Sequence, residues 1–237
     1  MPTFAIGARQ TAPGSVTQCL QCLPYEKTMT DEPAFPANAF AKQDGSDDAD
    51  FYAAPRFVTH IDDGAIAALT GFYRRALTEG TVILDLMGSW ISHLPEDVPF
   101  ADVIGHGMNT DELRNNPRFQ RWFVQDLNRD GHLPLAAQSV DAVLIAVSIQ
   151  YLEKPIAVLK ECARVLKPGG KIIISFSNRC FPTKAVAIWL ALGHEDHARL
   201  VELYLAHAGF DGVTIHVLCD GAAGDPLIAL SASVTQS

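Results

Sequence analysis

Short runs of apolar residues alternate along the chain with segments whose apolar residues recur at helical spacing. The first strong run, Val82-Ile83-Leu84, ends in Asp85-Leu86 and leads into the turn Met87-Gly88-Ser89-Trp90. Continuous apolar runs of this length are typical of parallel strands that are buried on both faces. Because ligands of open α/β sheets bind beyond the carboxyl ends of the strands, this turn is predicted to lie at a binding site.

Apolar runs and helical patterns continue to alternate after this strand. Further strands are predicted at residues 101–106, 121–124, 139–147, 171–176, 213–218 and 226–234. Helices are predicted from about residue 89 and at residues 111–114, 156–166, 183–192 and 195–208. The last two strands are close enough in sequence to form an antiparallel pair. The sequence therefore predicts an α/β fold: a doubly wound, Rossmann-like, mostly parallel seven-stranded sheet with a C-terminal antiparallel hairpin.

The segment before the first strand divides into two parts. Residues 1–50 lack apolar periodicity and are rich in Pro, Gly, Ser, Thr and Ala, which predicts a poorly ordered N-terminal extension. Residues 51–80 are predicted to form a helical cap segment, with a helix that begins near Asp62 and ends before Gly80. Residues 81–237 then form the predicted α/β domain.

The composition is that of an ordinary globular protein, with 48% hydrophobic and 19% charged residues in a chain of 237. The net charge of −9 argues against a nucleic-acid or anionic membrane surface, because both require concentrated Lys and Arg. No apolar run reaches the roughly 18 residues of a membrane helix, and the N-terminus lacks the pattern of a secretory signal. We therefore expect a cytoplasmic protein with neither nucleic acid nor membrane as a partner.

Patterns typical of metal sites are weak in this sequence. Cys19 and Cys22 form a lone CxxC with no second pair, and the scattered, odd number of cysteines favours free thiols. His194 and His197 flank two acids, but the HExxH pattern is absent, and acids in a first helical turn stabilise the helix without metal. We predict no metal site.

The most specific motif lies between Leu133 and Ser175. It begins with LPLAAQSVDAVLIAV and continues through ECARVLKPGG, from Glu161 to Gly170, into the next strand. In order and spacing these segments resemble those of the class I S-adenosylmethionine-dependent methyltransferases, particularly the small-molecule type 11 group. The resemblance covers about Thr81 to Val234. It implies S-adenosylmethionine as the cofactor and a small molecule as the methyl acceptor.

The resemblance also implies cofactor contacts in the turn after the first strand. Asp85 stands where the family has an acid at the end of this strand. In the family three alternating glycines follow, which let the backbone approach the methionine part of the cofactor. Here Met87, Ser89 and Ile91 occupy the glycine positions, and only the off-register Gly88 remains.

Two further contacts follow from the same resemblance. Gly107 stands where the family has an acid that holds the ribose hydroxyls, so that acid is missing, and Asn109 or His106 is the predicted substitute. Asp126 stands where the family contacts the adenine amino group, with Leu127 beside it.

The altered turn leaves two interpretations open. In the first, Ser89, Trp90 and His93 form a variant loop that still holds S-adenosylmethionine, with Trp90 against the adenosine or the sulfonium. In the second, the protein is catalytically silent and binds another ligand or a protein partner. The density of polar and aromatic groups in the run SWISHLP favours the first interpretation.

Candidate residues for methyl transfer lie near the predicted strand ends. His93 and His60 are the candidate bases, because histidine titrates near neutrality, and a loop-bridging role is the alternative for His93. Residues predicted to face the acceptor come from the cap segment and from the ends of the fourth and fifth strands: Tyr52, Arg56, Gln150, Tyr151, Asn178 and Arg179. Arg179 or Arg56 could bind a carboxylate or phosphate on the acceptor. Local packing is an equal alternative for Tyr52, Arg56 and His60.

Overall fold

The computed structural model describes residues 33–234. The helices are α1 Asp48–Phe51, α2 Asp63–Ala76, α3 Thr110–Arg114, α4 Pro155–Val165, α5 Ala187–Leu190 and α6 His194–His207, with a 3₁₀ turn at Ile149–Tyr151. The strands are β1 Val82–Leu86, β2 Asp102–Gly107, β3 Arg121–Val124, β4 Val140–Ala146, β5 Leu166–Ser177, β6 Phe210–Cys219 and β7 Leu227–Val234. None of the helices in this part of the chain is long and apolar enough to span a membrane.

The strands form one seven-stranded sheet in the order β3-β2-β1-β4-β5-β7-β6. Strands β1 to β5 are parallel, whereas β7 runs antiparallel to both β5 and β6. The predicted α/β fold with its antiparallel C-terminal pair is confirmed. Because β1 lies between β2 and β4, the carboxyl ends of these three strands meet at one edge of the sheet.

Helices cover both faces of the sheet, as a doubly wound fold requires. Helices α4 and α6 pack on one face, where Leu159 and Leu205 are fully buried against the strands. Helix α2 packs on the other face through Leu69 and Tyr73, both fully buried. Asp62 caps α2 by accepting a hydrogen bond from the backbone N–H of Ala65 (2.8 Å), in agreement with the predicted helix start.

The segment between β1 and β2 contains no helix, so the helix predicted from residue 89 is wrong. Pro95 disfavours helical geometry at Leu94, which precedes it, and Pro99 follows within one turn. His93 adopts a left-handed backbone conformation, with φ of 54°, which also interrupts a right-handed helix. The turn after β1 is therefore followed by an extended loop that crosses the edge of the sheet.

Residues 33–60, which we call the strap, pack against the domain. Ala39 is 2% exposed, and its carbonyl accepts a hydrogen bond from the Ile188 N–H (2.7 Å). The Phe35 ring lies against Tyr204 of α6, with 6.0 Å between ring centres. A few aromatic and small residues thus anchor a segment without periodicity, and the prediction of a poorly ordered extension is wrong for residues 33–50. Residues 1–32, including Cys19 and Cys22, lie outside the described residues.

Candidate functional site

A cavity of about 380 Å³ lies beneath the strap, where strands β1 to β4 end. Its walls come from the turn after β1, the segments that follow β2, β3, β4 and β5, and the strap. Most residues predicted for the site line this cavity: Tyr52, His60, Asp85, Met87, Gly88, Ser89, His93, Asn109, Asp126, Leu127, Tyr151, Asn178 and Arg179. The fold therefore brings them together, and the role of each stays a prediction.

Trp90, Arg56 and Gln150 do not line the cavity, so the structure does not bring them together with the other predicted site residues. The Trp90 indole N–H donates to the Val58 carbonyl (3.0 Å), so this ring ties the turn after β1 to the strap. The Arg56 guanidinium lies 4.4 Å from the centre of the Phe51 ring and donates to the Phe51 carbonyl (2.8 Å). Both side chains thus hold the strap in place.

Backbone strain is concentrated at the cavity. Met87, His93 and Val147 line it and have positive φ angles of 58°, 54° and 48°. A β-branched residue rarely adopts this conformation, and such strain persists only where surrounding contacts enforce it. At Val147 the N–H donates to the Ser175 carbonyl (2.8 Å), and the carbonyl accepts from the buried Gln150 side chain (2.8 Å). Gln150 therefore supports the backbone of the cavity wall.

The turn after β1 is fastened to β2 by His106. The Met87 N–H donates to His106 Nδ1 (3.0 Å), and the Gly88 N–H donates to the His106 carbonyl (2.7 Å). The remaining ring nitrogen, Nε2, therefore carries the proton and donates to the Gln125 carbonyl (2.9 Å). Burial lowers the pKa of His106 to about 4, so the ring is neutral. Both ring nitrogens are engaged, and His106 has no free group for a ribose hydroxyl.

Asp85 contributes a buried carboxylate beneath this turn. It is 2% exposed, and no described residue forms a hydrogen bond with its Oδ2 atom. A Cβ atom added at Gly88 would lie only 3.2 Å from the carboxylate, so glycine keeps the turn close to Asp85. Burial raises the pKa of Asp85 to about 7, although a hydrogen bond from Ser92 acts in the opposite direction.

Replacing Asp85 with asparagine should change how stability depends on pH. The pKa of Asp85 in the folded protein, about 7, exceeds the ordinary value of 3.8. Its stabilising contribution is therefore complete below about pH 4 and is lost as the pH rises to about 7. We expect the Asp85→Asn variant to gain about 1 kcal/mol per pH unit relative to the original chain across this interval.

Chemical unfolding of both proteins between pH 4 and pH 8 measures this difference. The buried histidines His93 and His106 also titrate in this interval with the opposite sign, but they are common to both proteins and cancel. A difference in unfolding free energy that does not change with pH would contradict the raised pKa.

The two candidate bases lie near each other at the strap side of the cavity. Burial, with a further contribution from the nearby His60, lowers the pKa of His93 to about 4, and no described residue bonds its Nδ1 atom. Burial also lowers the pKa of His60, while the charge of Glu112 acts to raise it. Both rings are therefore neutral at pH 7.

Aromatic side chains form the wall beside His60. The His60 ring lies 5.5 Å from that of Phe181, which in turn lies 6.1 Å from that of Tyr151. The Tyr151 hydroxyl accepts a hydrogen bond from the Phe181 N–H (2.9 Å), which fixes both rings. Tyr52 lines the same region from the strap. This wall offers flat apolar surface to a ligand, with a neutral imidazole next to it.

Sequence reasoning missed Asp48, Glu112 and Phe181, which also line the cavity. Asp48 belongs to an acidic run that is typical of solvated tails. Glu112 follows Asn109 by three residues, and this spacing is also that of a capping box at a helix start. Phe181 has no local pattern around it. Only the position of Glu112 in the first helix after β2 could have indicated a role at this edge.

Residues 88–174 match a family model described as a methyltransferase domain. A ubiquinone biosynthesis O-methyltransferase from Xanthomonas oryzae pv. oryzae is 40% identical over 63 residues, which cover 27% of this chain and 25% of that protein. A malonyl-[acyl-carrier protein] O-methyltransferase from Marinomonas sp. is 32% identical over 74 residues, which cover 31% of this chain and 26% of that protein. The matched part thus spans about a quarter of each relative.

Among solved structures, that of the [4+2]-cyclase SpnF superposes with a TM-score of 0.57. The sequences are 16% identical, and the superposition covers 80% of this chain and 92% of the cyclase. At this identity the likeness shows the fold alone. A shared fold leaves the reaction to be argued from the residues of the site.

Proposed function

We propose that this chain, which carries a class I S-adenosylmethionine-dependent methyltransferase domain, transfers the methyl group of S-adenosylmethionine to an oxygen of a small aromatic acceptor. The match over residues 88–174 confirms the family resemblance seen in the sequence.

One observation carries the proposal: the cavity at the carboxyl edge of β1 stays open although larger residues replace the glycines. Its volume of about 380 Å³ lies within the roughly 300–1,000 Å³ of small-molecule sites. The left-handed backbone of Met87 keeps a glycine-like turn there, and Ile91 lines the cavity without filling it. The residues present therefore fit an adenosyl ligand.

The contacts to the cofactor are assigned by position along the edge. Asp126 and Leu127, after β3, hold the adenine, and the turn at Met87 and Gly88 lies against the methionine part. The unpaired Asp85 oxygen beneath this turn attracts a donor group of the ligand. When bound, S-adenosylmethionine supplies an electrophilic methyl group on its sulfonium. The protein holds the acceptor in line with this methyl, and such positioning can contribute about 7–11 kcal/mol to lowering the barrier.

The acceptor binds against the aromatic wall of Tyr52, Tyr151 and Phe181. Stacking on such surface favours a planar ring. His60 then accepts the proton of the acceptor hydroxyl, because its neutral imidazole borders the wall. An oxygen acceptor also agrees with the similarity to two kinds of O-methyltransferase. Arg179 lies at the cavity mouth with its side chain 63% exposed, where it can bind an acidic substituent.

Calorimetry with S-adenosylmethionine and S-adenosylhomocysteine tests the proposal, and Asp126→Ala tests the assigned orientation. We expect both ligands to bind the original chain. Loss of a hydrogen bond to a charged group should weaken binding to the Asp126→Ala variant by about tenfold to hundredfold. Asp130→Ala is the matched control, because this exposed acid lies four residues away and does not line the cavity.

If folded protein binds neither ligand, the proposal is wrong, and the chain is instead a silent methyltransferase-like protein that binds another ligand or a partner. The replaced glycines are the observation that favours this second candidate. If both ligands bind the original chain and Asp126→Ala equally well, the adenine lies elsewhere in the cavity. The Asp126 assignment alone is then rejected.

A further inference from the structure

The carboxylate expected at the end of β2 is sterically excluded in this chain. A Cβ atom added at Gly107 would lie 2.5 Å from the Gly88 carbonyl oxygen, which is a backbone atom. The Gly88 backbone is in turn fixed by its hydrogen bond to the His106 carbonyl (2.7 Å). No side chain fits at position 107 unless the turn after β1 moves away from β2. The residue that binds the hydroxyls of a nucleoside must therefore come from another position.

Asn109, one predicted substitute, is already fully engaged. Its side-chain Oδ1 accepts from the backbone N–H groups of Asp111 (2.9 Å) and Glu112 (3.1 Å), and thereby caps α3. Its Nδ2 donates to the Tyr52 carbonyl (3.0 Å) and the Ala53 carbonyl (3.1 Å). A ligand hydroxyl would have to displace either the helix cap or the strap. The other predicted substitute, His106, uses both ring nitrogens within the protein.

Glu112 has the features that the missing acid would need. It is 8% exposed and lines the cavity one turn after the end of β2. Although its position suits a capping box, its carboxylate instead joins two distant segments. Oε2 accepts from the Ser89 hydroxyl (2.6 Å), and Oε1 accepts from the Arg56 N–H (2.6 Å). An ionised carboxylate has about four acceptor sites, so two hydrogen bonds leave capacity for a ligand.

The other carboxylates at the cavity are less suited to this role. Asp48 is paired with Lys42 and with Lys184. Asp85 lies beneath the turn at Gly88, and Asp126, two residues after the Val124 that pairs with Gly107, is assigned to the adenine. Glu112 is the cavity-lining acid that follows β2 in sequence, in the first turn of α3.

We infer that Glu112 accepts hydrogen bonds from the ribose hydroxyls of the bound adenosyl ligand, in place of an acid at Gly107. The inference rests on the proposed function, because it assumes an adenosyl ligand in the cavity. It also assigns a consequence to the Arg56 contact: the residue that holds the ribose also holds the strap. The bound ligand and the strap are thereby linked through one side chain.

Calorimetry with adenosine, 2′-deoxyadenosine, 3′-deoxyadenosine and S-adenosylhomocysteine tests the inference. The original chain should prefer adenosine over at least one deoxynucleoside by about tenfold or more, since a hydrogen bond to a charged group is lost. In Glu112→Gln this preference should fall to less than about threefold, and S-adenosylhomocysteine should bind about tenfold more weakly. Asp111→Asn is the matched control, because it removes an exposed carboxylate from the same helical turn.

The preference is a ratio measured within each protein, so a general loss of stability in Glu112→Gln does not imitate the expected result. Thermal unfolding of each variant checks that the protein measured is folded. If Glu112→Gln keeps the preference of the original chain, the inference is wrong while the proposed function stands. If the original chain binds no adenosyl compound, the proposed function and the inference both fail.

Discussion

Replacing His60 with glutamine is expected to lower kcat by about 10²–10⁴-fold, the usual contribution of a general base. Glutamine is uncharged and similar in size, but it cannot accept a proton at neutral pH. The His60 imidazole borders the aromatic wall, with its ring 5.5 Å from that of Phe181, so it lies beside the proposed acceptor. The KM for S-adenosylmethionine should stay nearly constant, because His60 is assigned no contact with the cofactor.

His93→Gln is the comparison that separates the two candidate bases. Burial lowers the pKa of His93 to about 4, so this ring is a weak base at pH 7. Its carbonyl also accepts a hydrogen bond from the Thr70 hydroxyl (2.9 Å), which indicates a structural role in the loop. A loss of kcat in His93→Gln that exceeds the loss in His60→Gln would reverse the assignment.

The rate of S-adenosylhomocysteine formation with catechol as the acceptor measures both effects. The pKa of His60 lies below the ordinary value of 6.5 because of burial. In the original chain kcat/KM should therefore fall as the pH decreases through this pKa, because the base becomes protonated. In His60→Gln this acid limb should be absent. A variant that loses activity but keeps the limb would show that His60 acts only in packing.

The fold could be predicted because its strands are continuous apolar runs. The runs at β1, β4 and β5 need burial on both faces, and the glycines after α4 end a helix whatever surrounds them. The loop between β1 and β2 was mispredicted, because strand–helix alternation was expected to continue there and the two prolines were given too little weight. The order of residues 33–50 could not be predicted either, since it depends on contacts with residues 183–188 that are distant in sequence.

Site residues that directly follow strand ends could be predicted from the sequence, whereas those in other segments could be predicted less well. Asp85 and Asp126 could be placed because strand ends meet at one edge. Trp90 was assigned to the cofactor because of its ring, but the ring turns toward the Val58 carbonyl instead. Glu112 was overlooked because it was considered only as part of the short helix predicted at residues 111–114. Sequence spacing gives the turn on which a side chain lies, whereas its direction depends on partners from other segments.

Replacing Lys184 with methionine is expected to destabilise the protein by about 3 kcal/mol, the lower end of the range for removing one partner of a buried ion pair. Lys184 is 0% exposed, and its ammonium lies 3.2 Å from carboxylate oxygens of both Asp44 and Asp48. It also donates to the Ser46 carbonyl (2.9 Å). Burial alone would lower the pKa of Lys184, but these partners raise it, so the group is charged.

The loss of stability in Lys184→Met should be concentrated in the strap, because every partner of the Lys184 ammonium named above belongs to the strap. Limited proteolysis should cut within residues 33–60 of Lys184→Met faster than in the original chain. S-adenosylhomocysteine should also bind more weakly, since Asp48 lines the cavity. Chemical unfolding measures the stability, and Lys154→Met is the control, because Lys154 is exposed.

A second substitution separates the buried charge from packing. If Lys184→Met leaves the Asp48 charge short of a partner, adding Asp48→Asn should recover part of the stability, because burying an uncompensated charge is the main cost. Recovery is expected to be incomplete, since Lys42 still pairs with Asp48 in the single variant and Asp44 keeps its charge in both. If instead the double variant is the less stable protein, the loss comes from packing. The strap is then held in place by its apolar contacts, and the shape of the cavity does not depend on Lys184.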